Sequence, residues 1–332
     1  MGAGRVVVID GGYESYAAEA ELLRGAGYAL DLFPGDRHDL EGKLAFAQDA
    51  VGMLVRWSEL DDSALSKVLS VRCIVRYGIG YDNIDIAAAS KRGIKVCNVQ
   101  RYANHAVSDH ALALILACTR SLPMALDTLR ANYAAPPRQY MPELKDMTLG
   151  IVGLGRIGGT LCVKARPLFK NVLACDPYIA DERFTALGAV QSTLDTVLSE
   201  SDVVSIHCSL TDETRRMFDK DALERMRTTA ILVNTARGPV VDEEALLTAL
   251  DEGKLYAAGL DVFWDEPPLA NREPLIAHPH VVATGHYAWY SNAARQELQR
   301  RAAENMLAML DGETPEDCLN PEVFLRPQCS DS

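Results

Sequence analysis

Three side chains in separated segments have the types that could carry out chemistry together. They are Arg237 in Asn234-Thr-Ala-Arg-Gly-Pro, Glu266 in Asp261-Val-Phe-Trp-Asp-Glu-Pro-Pro and His286 in Thr284-Gly-His-Tyr-Ala-Trp. A fixed cation, a carboxylate and a histidine beside a nicotinamide ring meet the needs of hydride transfer to a 2-keto acid. The cation holds the substrate carboxylate, the histidine supplies a proton as the hydride arrives, and the carboxylate keeps that histidine protonated. Singly, each has a plainer reading as a loop arginine, an acidic residue before two prolines and a structural histidine. His278 and His280 are expected to be histidines of that plainer kind.

A nicotinamide is implied by the run Gly153-Leu-Gly-Arg-Ile-Gly158, which follows a strand-like Thr148–Val152 and opens a helix-like segment. Gly153 permits the turn, Gly155 lets backbone approach a pyrophosphate, and Gly158 allows close helix–strand packing. The N–H groups of the first helical turn, at Arg156 and Ile157, hold phosphate charge. Asp176 ends the next strand at the spacing expected of the acid that binds a ribose 2′-hydroxyl. It would repel a 2′-phosphate, and the following Pro177-Tyr-Ile-Ala offers no arginine to receive one, so NAD is expected rather than NADP.

The elements that must position these residues are short β-branched runs alternating with helix-like segments. Strands are predicted at 6–10, 51–56, 73–76, 95–98, 148–152, 171–175, 203–207, 230–234, 256–260 and 280–283. Helices are predicted at 14–25, 62–69, 84–92, 104–120 and 291–310. Such alternation implies parallel sheets covered by helices, and one α/β series before residue 100 and another after 145 imply two domains. The segment 104–120 is apolar nearly all round and is expected between domains or at a subunit interface. Residues 134–142 read as a proline-punctuated loop.

Bulk properties narrow the function classes. With 332 residues the chain exceeds the usual size of one core. A formal net charge of −13 argues against a nucleic-acid backbone or an anionic membrane as partner. The eight cysteines show no C-x-x-C spacing and lie mostly in apolar runs, which predicts free thiols and no metal site. The N-terminus lacks the apolar core and cleavage site of a signal peptide, and no apolar stretch reaches spanning length, so a cytoplasmic protein is expected.

Together with Arg76-Tyr-Gly-Ile-Gly-Tyr-Asp-Asn-Ile-Asp85, His207-Cys-Ser-Leu-Thr-Asp-Glu-Thr214 and Gly259-Leu-Asp-Val-Phe263, these motifs resemble the D-2-hydroxyacid dehydrogenase family over almost the whole chain. Segments 75–80 and 288–291 look most like the branch that holds the C-terminal-binding-protein corepressors and phosphoglycerate dehydrogenases. The resemblance implies that Arg237 grips the substrate carboxylate and keto oxygen and that His286 is the acid–base group, its pKa raised by Glu266. It implies that Asp261 faces the nicotinamide carboxamide, that Thr235 and Ala236 line the cofactor with backbone groups, and that Cys208 lies near the adenosine. Backbone N–H groups of Tyr77, Gly78 and Ile79, with Arg76 and Trp289, would meet the substrate, and Arg56 could join them. The implied fold is two Rossmann-like, doubly wound parallel-sheet domains with a cleft between them. Residues 1–102 plus 290–332 would form the substrate domain and 103–289 the NAD-binding domain, in a homodimer. Gly285 and Gln100 depart from prolines common in the family. The expected function is NAD-dependent interconversion of a small 2-keto acid and its D-2-hydroxy acid; the alternative is an NAD(H)-sensing, corepressor-like scaffold with incidental activity.

Overall fold

The computed structural model describes residues 4–132, 140–266 and 273–325. These divide into two compact units, one of residues 1–102 with 291–332 and the other of 103–290. Tyr290 stays with the second unit, one residue beyond the expected boundary. The chain changes unit where Ser291 caps the last helix, its hydroxyl accepting the Ala294 N–H at 3.0 Å.

The first unit begins with β1 (Gly4–Val8), α1 (Ala17–Gly25), β2 (Tyr28–Leu32), α2 (Leu40–Phe46) and β3 (Gly52–Val55). It continues with α3 (Asp62–Leu65), β4 (Cys73–Arg76), α4 (Ile86–Lys91) and β5 (Lys95–Cys97). Its five strands are parallel in the order β2-β1-β3-β4-β5. Asp39, Asp61 and Asp85 each cap a helix by accepting an N–H three residues on, so the acidic residues mark the helix starts. The core gathers Val7, Ile9, Leu44, Met53, Val55, Ile74 and Val96.

The second unit runs α5 (Asn104–Thr119), α6 (Leu122–Asn132), β6 (Thr148–Val152), α7 (Arg156–Ala165), β7 (Asn171–Cys175), α8 (Asp181–Leu187), β8 (Val190–Gln191) and α9 (Leu194–Glu200). Then come β9 (Val203–Ile206), α10 (Lys220–Arg225), β10 (Ile231–Asn234), α11 (Glu243–Asp251), β11 (Ala257–Leu260), α12 (Glu273–Ile276) and β12 (Val281–Ala283). The seven strands are all parallel, in the order β12-β11-β10-β9-β6-β7-β8. Alternation within a strand sorts side chains to two cores. Ile231 and Val233 join Leu149, Ile151 and Leu161 on one face, while Leu232 joins Val204, Ile206 and Phe218 on the other. The final helix, α13 (Asn292–Leu310), returns to the first unit and packs on α1 and β4.

The apolar residues Ala111, Leu114, Ile115 and Cys118 of α5 pack inside the second unit, against α7, β10 and β11, while Ala113 and Leu116 on the same helix stay exposed. Among the described residues no single helix is long and apolar enough to cross a membrane. The proline-rich loop at 134–142 falls mostly outside the described residues.

Candidate functional site

The seven-stranded sheet reverses direction of growth between β6 and β9, the place where open parallel sheets bind ligands beyond their strand ends. The glycine-rich turn leaves β6 there. Gly153 has φ +90°, and a Cβ on it would lie 2.6 Å from the Cys208 nitrogen and 2.7 Å from the His207 carbonyl carbon. A Cβ on Gly158 would lie 2.0 Å from the Gly153 oxygen. Gly155, at the head of α7, differs: a Cβ there would meet nothing within 4 Å. Two glycines are therefore required by the chain's own packing, and Gly155 leaves open space before the helix N-terminus. Arg156 is exposed and Ile157 half-buried on the same turn.

Asp176, just past β7, accepts the Leu154 N–H at 2.8 Å on one oxygen and the Tyr178 N–H at 3.0 Å on the other. It fixes the glycine turn and retains lone pairs for a hydroxyl. Cys208 is half-buried, and burial raises its thiol to about 11. Its neighbour His207, unassigned from sequence, is pushed down to about 4 by burial, with Nε2 2.8 Å from the Ser205 hydroxyl. The Thr235 side chain is 9% exposed, and its buried Oγ1 has no hydrogen-bond partner among the described residues. An open glycine face, a helix N-terminus, a carboxylate with spare acceptors and an orphaned hydroxyl together fit a dinucleotide.

Glu266 and His286 meet within this unit, and the turn that carries Arg237 packs on the segment that carries Glu266. Asn234 ends β10 and wraps the next turn. Its Oδ1 accepts the Ala236 N–H at 3.0 Å and its Nδ2 donates to the Arg237 carbonyl at 2.9 Å. The Ala236 N–H expected to face a cofactor is thus used internally, and the Ala236 carbonyl accepts from Arg237 Nη1 at 2.8 Å. Gly238 then presses on the next segment, where a Cβ would sit 2.0 Å from the Phe263 carbonyl carbon. That segment is tied down by Trp264, whose backbone N–H reaches Glu243 at 2.7 Å and whose indole N–H reaches the Val241 carbonyl at 2.7 Å. It delivers Glu266, with one oxygen accepting the Phe263 N–H at 3.3 Å and the other bonded to His286 Nδ1.

His286 is held in an unusual backbone conformation, φ +53°, which a residue with a Cβ adopts only when its surroundings enforce it. Asp261 does the enforcing. Its carbonyl accepts the His286 N–H at 2.7 Å. Its carboxylate accepts Thr284 Oγ1 at 2.6 Å, the Tyr287 N–H at 3.1 Å and the Ala288 N–H at 2.9 Å. Asp261 is fully buried, and both of its carboxylate oxygens serve this loop. His110 on α5 adds a support that sequence reasoning missed. Its Nε2 lies 2.9 Å from Thr284 Oγ1, and its ring packs edge-on against Tyr287 with centroids 5.0 Å apart. With Nδ1 on Glu266, the His286 ring turns Nε2 outward; the side chain is 37% exposed.

In the first unit, the turn after β4 also departs from expectation. The Tyr77 N–H donates to the Val55 carbonyl at 2.8 Å and the Tyr77 hydroxyl to Glu19 at 3.0 Å, so Tyr77 has no backbone donor to offer. Among the described residues no acceptor takes the N–H of Gly78 or Ile79. Their carbonyls are fixed from behind by the Val99 N–H at 3.0 Å and the Asn98 amide at 2.6 Å. Arg76 Nη1 donates to the Tyr77 carbonyl at 2.8 Å beside Gly78. The Arg56 guanidinium stacks on Tyr13 and Trp57, 4.7 and 5.0 Å from the ring centres. Trp289, in the second unit, is half-buried with its ring against Tyr290. His278 is lowered by burial and by its neighbour His280.

Residues 112–288 match the family model described as D-isomer specific 2-hydroxyacid dehydrogenase, NAD binding domain. Glyoxylate/hydroxypyruvate reductase B of Escherichia fergusonii is 36% identical over 287 residues, covering 84% of this chain and 87% of that protein. Glyoxylate reductase of Thermofilum pendens is 39% identical over 275 residues, 81% of each. Among solved structures, D-lactate dehydrogenase of Aquifex aeolicus complexed with NAD and lactic acid superposes with a TM-score of 0.83 at 26% identity, over 93% of this chain and 96% of that one.

Proposed function

Because this chain belongs to the D-isomer specific 2-hydroxyacid dehydrogenase family, we propose that it reduces a small 2-keto acid, of the size of glyoxylate or hydroxypyruvate, to the 2-hydroxy acid with NADH. The observation that carries this reading is the Glu266–His286 pair, built beside the Arg237 turn on one sheet edge. The relatives named glyoxylate and hydroxypyruvate reductases support the substrate size and favour an enzyme over a scaffold. NADH supplies the hydride. The open face at Gly155 and the α7 N-terminus take its pyrophosphate, Asp176 an adenosine ribose hydroxyl and Thr235 Oγ1 a polar group of the cofactor.

Arg237 binds the substrate carboxylate and the keto oxygen, drawing negative charge toward itself as the carbonyl is reduced. Glu266 accepts the Nδ1 proton of His286, which fixes the ring and leaves Nε2 to donate its proton to the keto oxygen. In the reverse direction Nε2 takes the hydroxyl proton. Trp289, half-buried in the same unit, is a further substrate contact. The leucines at 122, 126 and 129, one exposed stripe of α6, support a homodimer. The reading is tested by NADH oxidation with a panel of 2-keto acids, in parallel with NADPH, and by the chirality of the product. Turnover with glyoxylate and hydroxypyruvate, D-glycerate from the latter and a clear NADH preference are expected. NADH binding without turnover on any 2-keto acid would favour the scaffold and overturn it.

A further inference from the structure

Cys97 closes β5 and is fully buried, while Cys318 lies half-buried in the C-terminal segment of the same unit. The two residues face each other as an antiparallel bridge. The backbone bonds flank them, from the Asn98 N–H to the Asp317 carbonyl at 3.3 Å and from the Leu319 N–H to the Val96 carbonyl at 2.8 Å. The pair therefore occupies a non-hydrogen-bonded site, where facing Cα atoms come to about 4.5 Å and side chains leave on one side. That separation is within the span of a disulfide.

The Cys318 thiol lies 3.9 Å from Asn320 Oδ1, and the bridge sets it beside the Cys97 thiol, so that each perturbs the other. This proximity, with burial, raises Cys97. It lowers Cys318 to about 7, with help from the Asn320 backbone and Lys95 and against burial and Glu322. The arrangement is that of an accessible thiolate backed by a buried partner thiol.

We propose that Cys97 and Cys318 form a redox-active thiol pair, which a hydroperoxide converts to a disulfide that fastens the C-terminal segment to β5. The Cys318 thiolate attacks one peroxide oxygen, and the O–O bond breaks. Cys318 becomes a sulfenic acid, and the departing hydroxide leaves as water with the proton the thiol gave up. The Cys97 sulfur then attacks the Cys318 sulfur, the S–S bond forms, the S–O bond breaks, and the second water carries off the Cys97 proton. Two thiols lose two electrons and two protons, and hydrogen peroxide is reduced to two waters.

The fastened segment matters because it buttresses the end of β5. Asp317 accepts the Gln100 N–H at 3.1 Å and Arg301 at 2.9 Å. The intervening Asn98 and Val99 hold the Ile79 and Gly78 carbonyls.

Full-length protein, treated with hydrogen peroxide, quenched by alkylation and digested without reductant, reads the proposal directly. A Cys97–Cys318 cross-linked peptide, two hydrogens lighter than the sum of its parts and released by dithiothreitol, is expected. Cys318→Ser should abolish it. Cys97→Ser should leave a sulfenic acid at Cys318 that dimedone traps. Both variants should keep wild-type NADH-linked turnover in reducing buffer. A link from Cys318 to another cysteine such as Cys329 would overturn the proposal. So would over-oxidation of Cys318 with Cys97 left as a free thiol, or survival of both thiols at a peroxide dose that oxidises cysteine in solution.

Discussion

Gly238→Ala tests whether the Arg237 turn and the Glu266 loop act as one rigid frame. The new methyl would lie 2.0 Å from the Phe263 carbonyl carbon, 2.1 Å from its oxygen and 2.5 Å from the Trp264 nitrogen. Ordinary contacts need about 3.5 Å. All three neighbours are backbone, so no side chain can swing aside; one segment must move by more than about an ångström. The Glu266 loop is anchored by Trp264 to Glu243 and Val241, and Glu266 is bonded to His286, so displacement separates the guanidinium from the histidine. Misplacement of about 1 Å costs about 100-fold in rate, equivalent to about 2.7 kcal/mol at 1.36 kcal/mol per decade. Overpacking should cost roughly 1–3 kcal/mol of stability, which leaves most of a typical 5–15 kcal/mol. The assay is kcat/KM for NADH-dependent glyoxylate reduction, beside circular dichroism and NADH fluorescence titration. A fall of about two decades with a folded protein and NADH affinity within a few-fold is expected. Activity within threefold of wild type would refute the shared-frame reasoning.

Arg237→Lys keeps the charge but loses the two-pronged geometry, and should lower kcat/KM by roughly 2–4 kcal/mol, read from steady-state kinetics. Asp261→Asn puts an amide donor where only donors face the carboxylate; it should cost about 1–3 kcal/mol in thermal or urea stability and lower kcat, because the His286 loop loses a tie. His207 titrates near 6.5 when unfolded but about 4 when folded, because burial disfavours its charged form. The unfolded chain thus binds the extra proton first as pH falls, and stability should drop from pH 6.5 toward 4, by about 2 kcal/mol at pH 5. Unfolding free energies from urea melts of wild type and His207→Gln at pH 7 and 5 should diverge by that amount, and parallel pH dependences would remove the effect. Replacing Asp176 with serine should narrow the preference for NADH over NADPH, seen as a changed ratio of kcat/KM values.

What could be read from sequence follows burial. The strands Cys73–Arg76, Thr148–Val152 and Asn171–Cys175 coincide with the reading to the residue, because strands covered on both faces are near-continuous apolar runs. The strand Tyr28–Leu32 was missed. It sits at a sheet edge, where Asp31 can face water, and its short mixed pattern does not separate it from a loop. Helix Leu122–Asn132 was missed because its leucine stripe is exposed rather than buried. The meeting of Glu266 with His286, and the packing of the Arg237 turn on the Glu266 segment, agree with the reading from residue type and motif. The roles that hydrogen bonds decide were not legible. Whether the Tyr77 and Ala236 N–H groups are spare, or which donors occupy Asp261, depends on partners distant in sequence. Nothing local marks His110, an otherwise ordinary helical residue, as a support of the histidine loop.

The central claim is that His286, oriented by Glu266, delivers the proton during NADH-dependent keto-acid reduction. The most direct measurement is kcat for glyoxylate reduction by His286→Ala at saturating NADH, with NADH affinity measured on the same sample. The account predicts a fall of about 10²–10⁴-fold, the range for loss of a general acid, with NADH affinity largely retained. Turnover at the wild-type rate would contradict it.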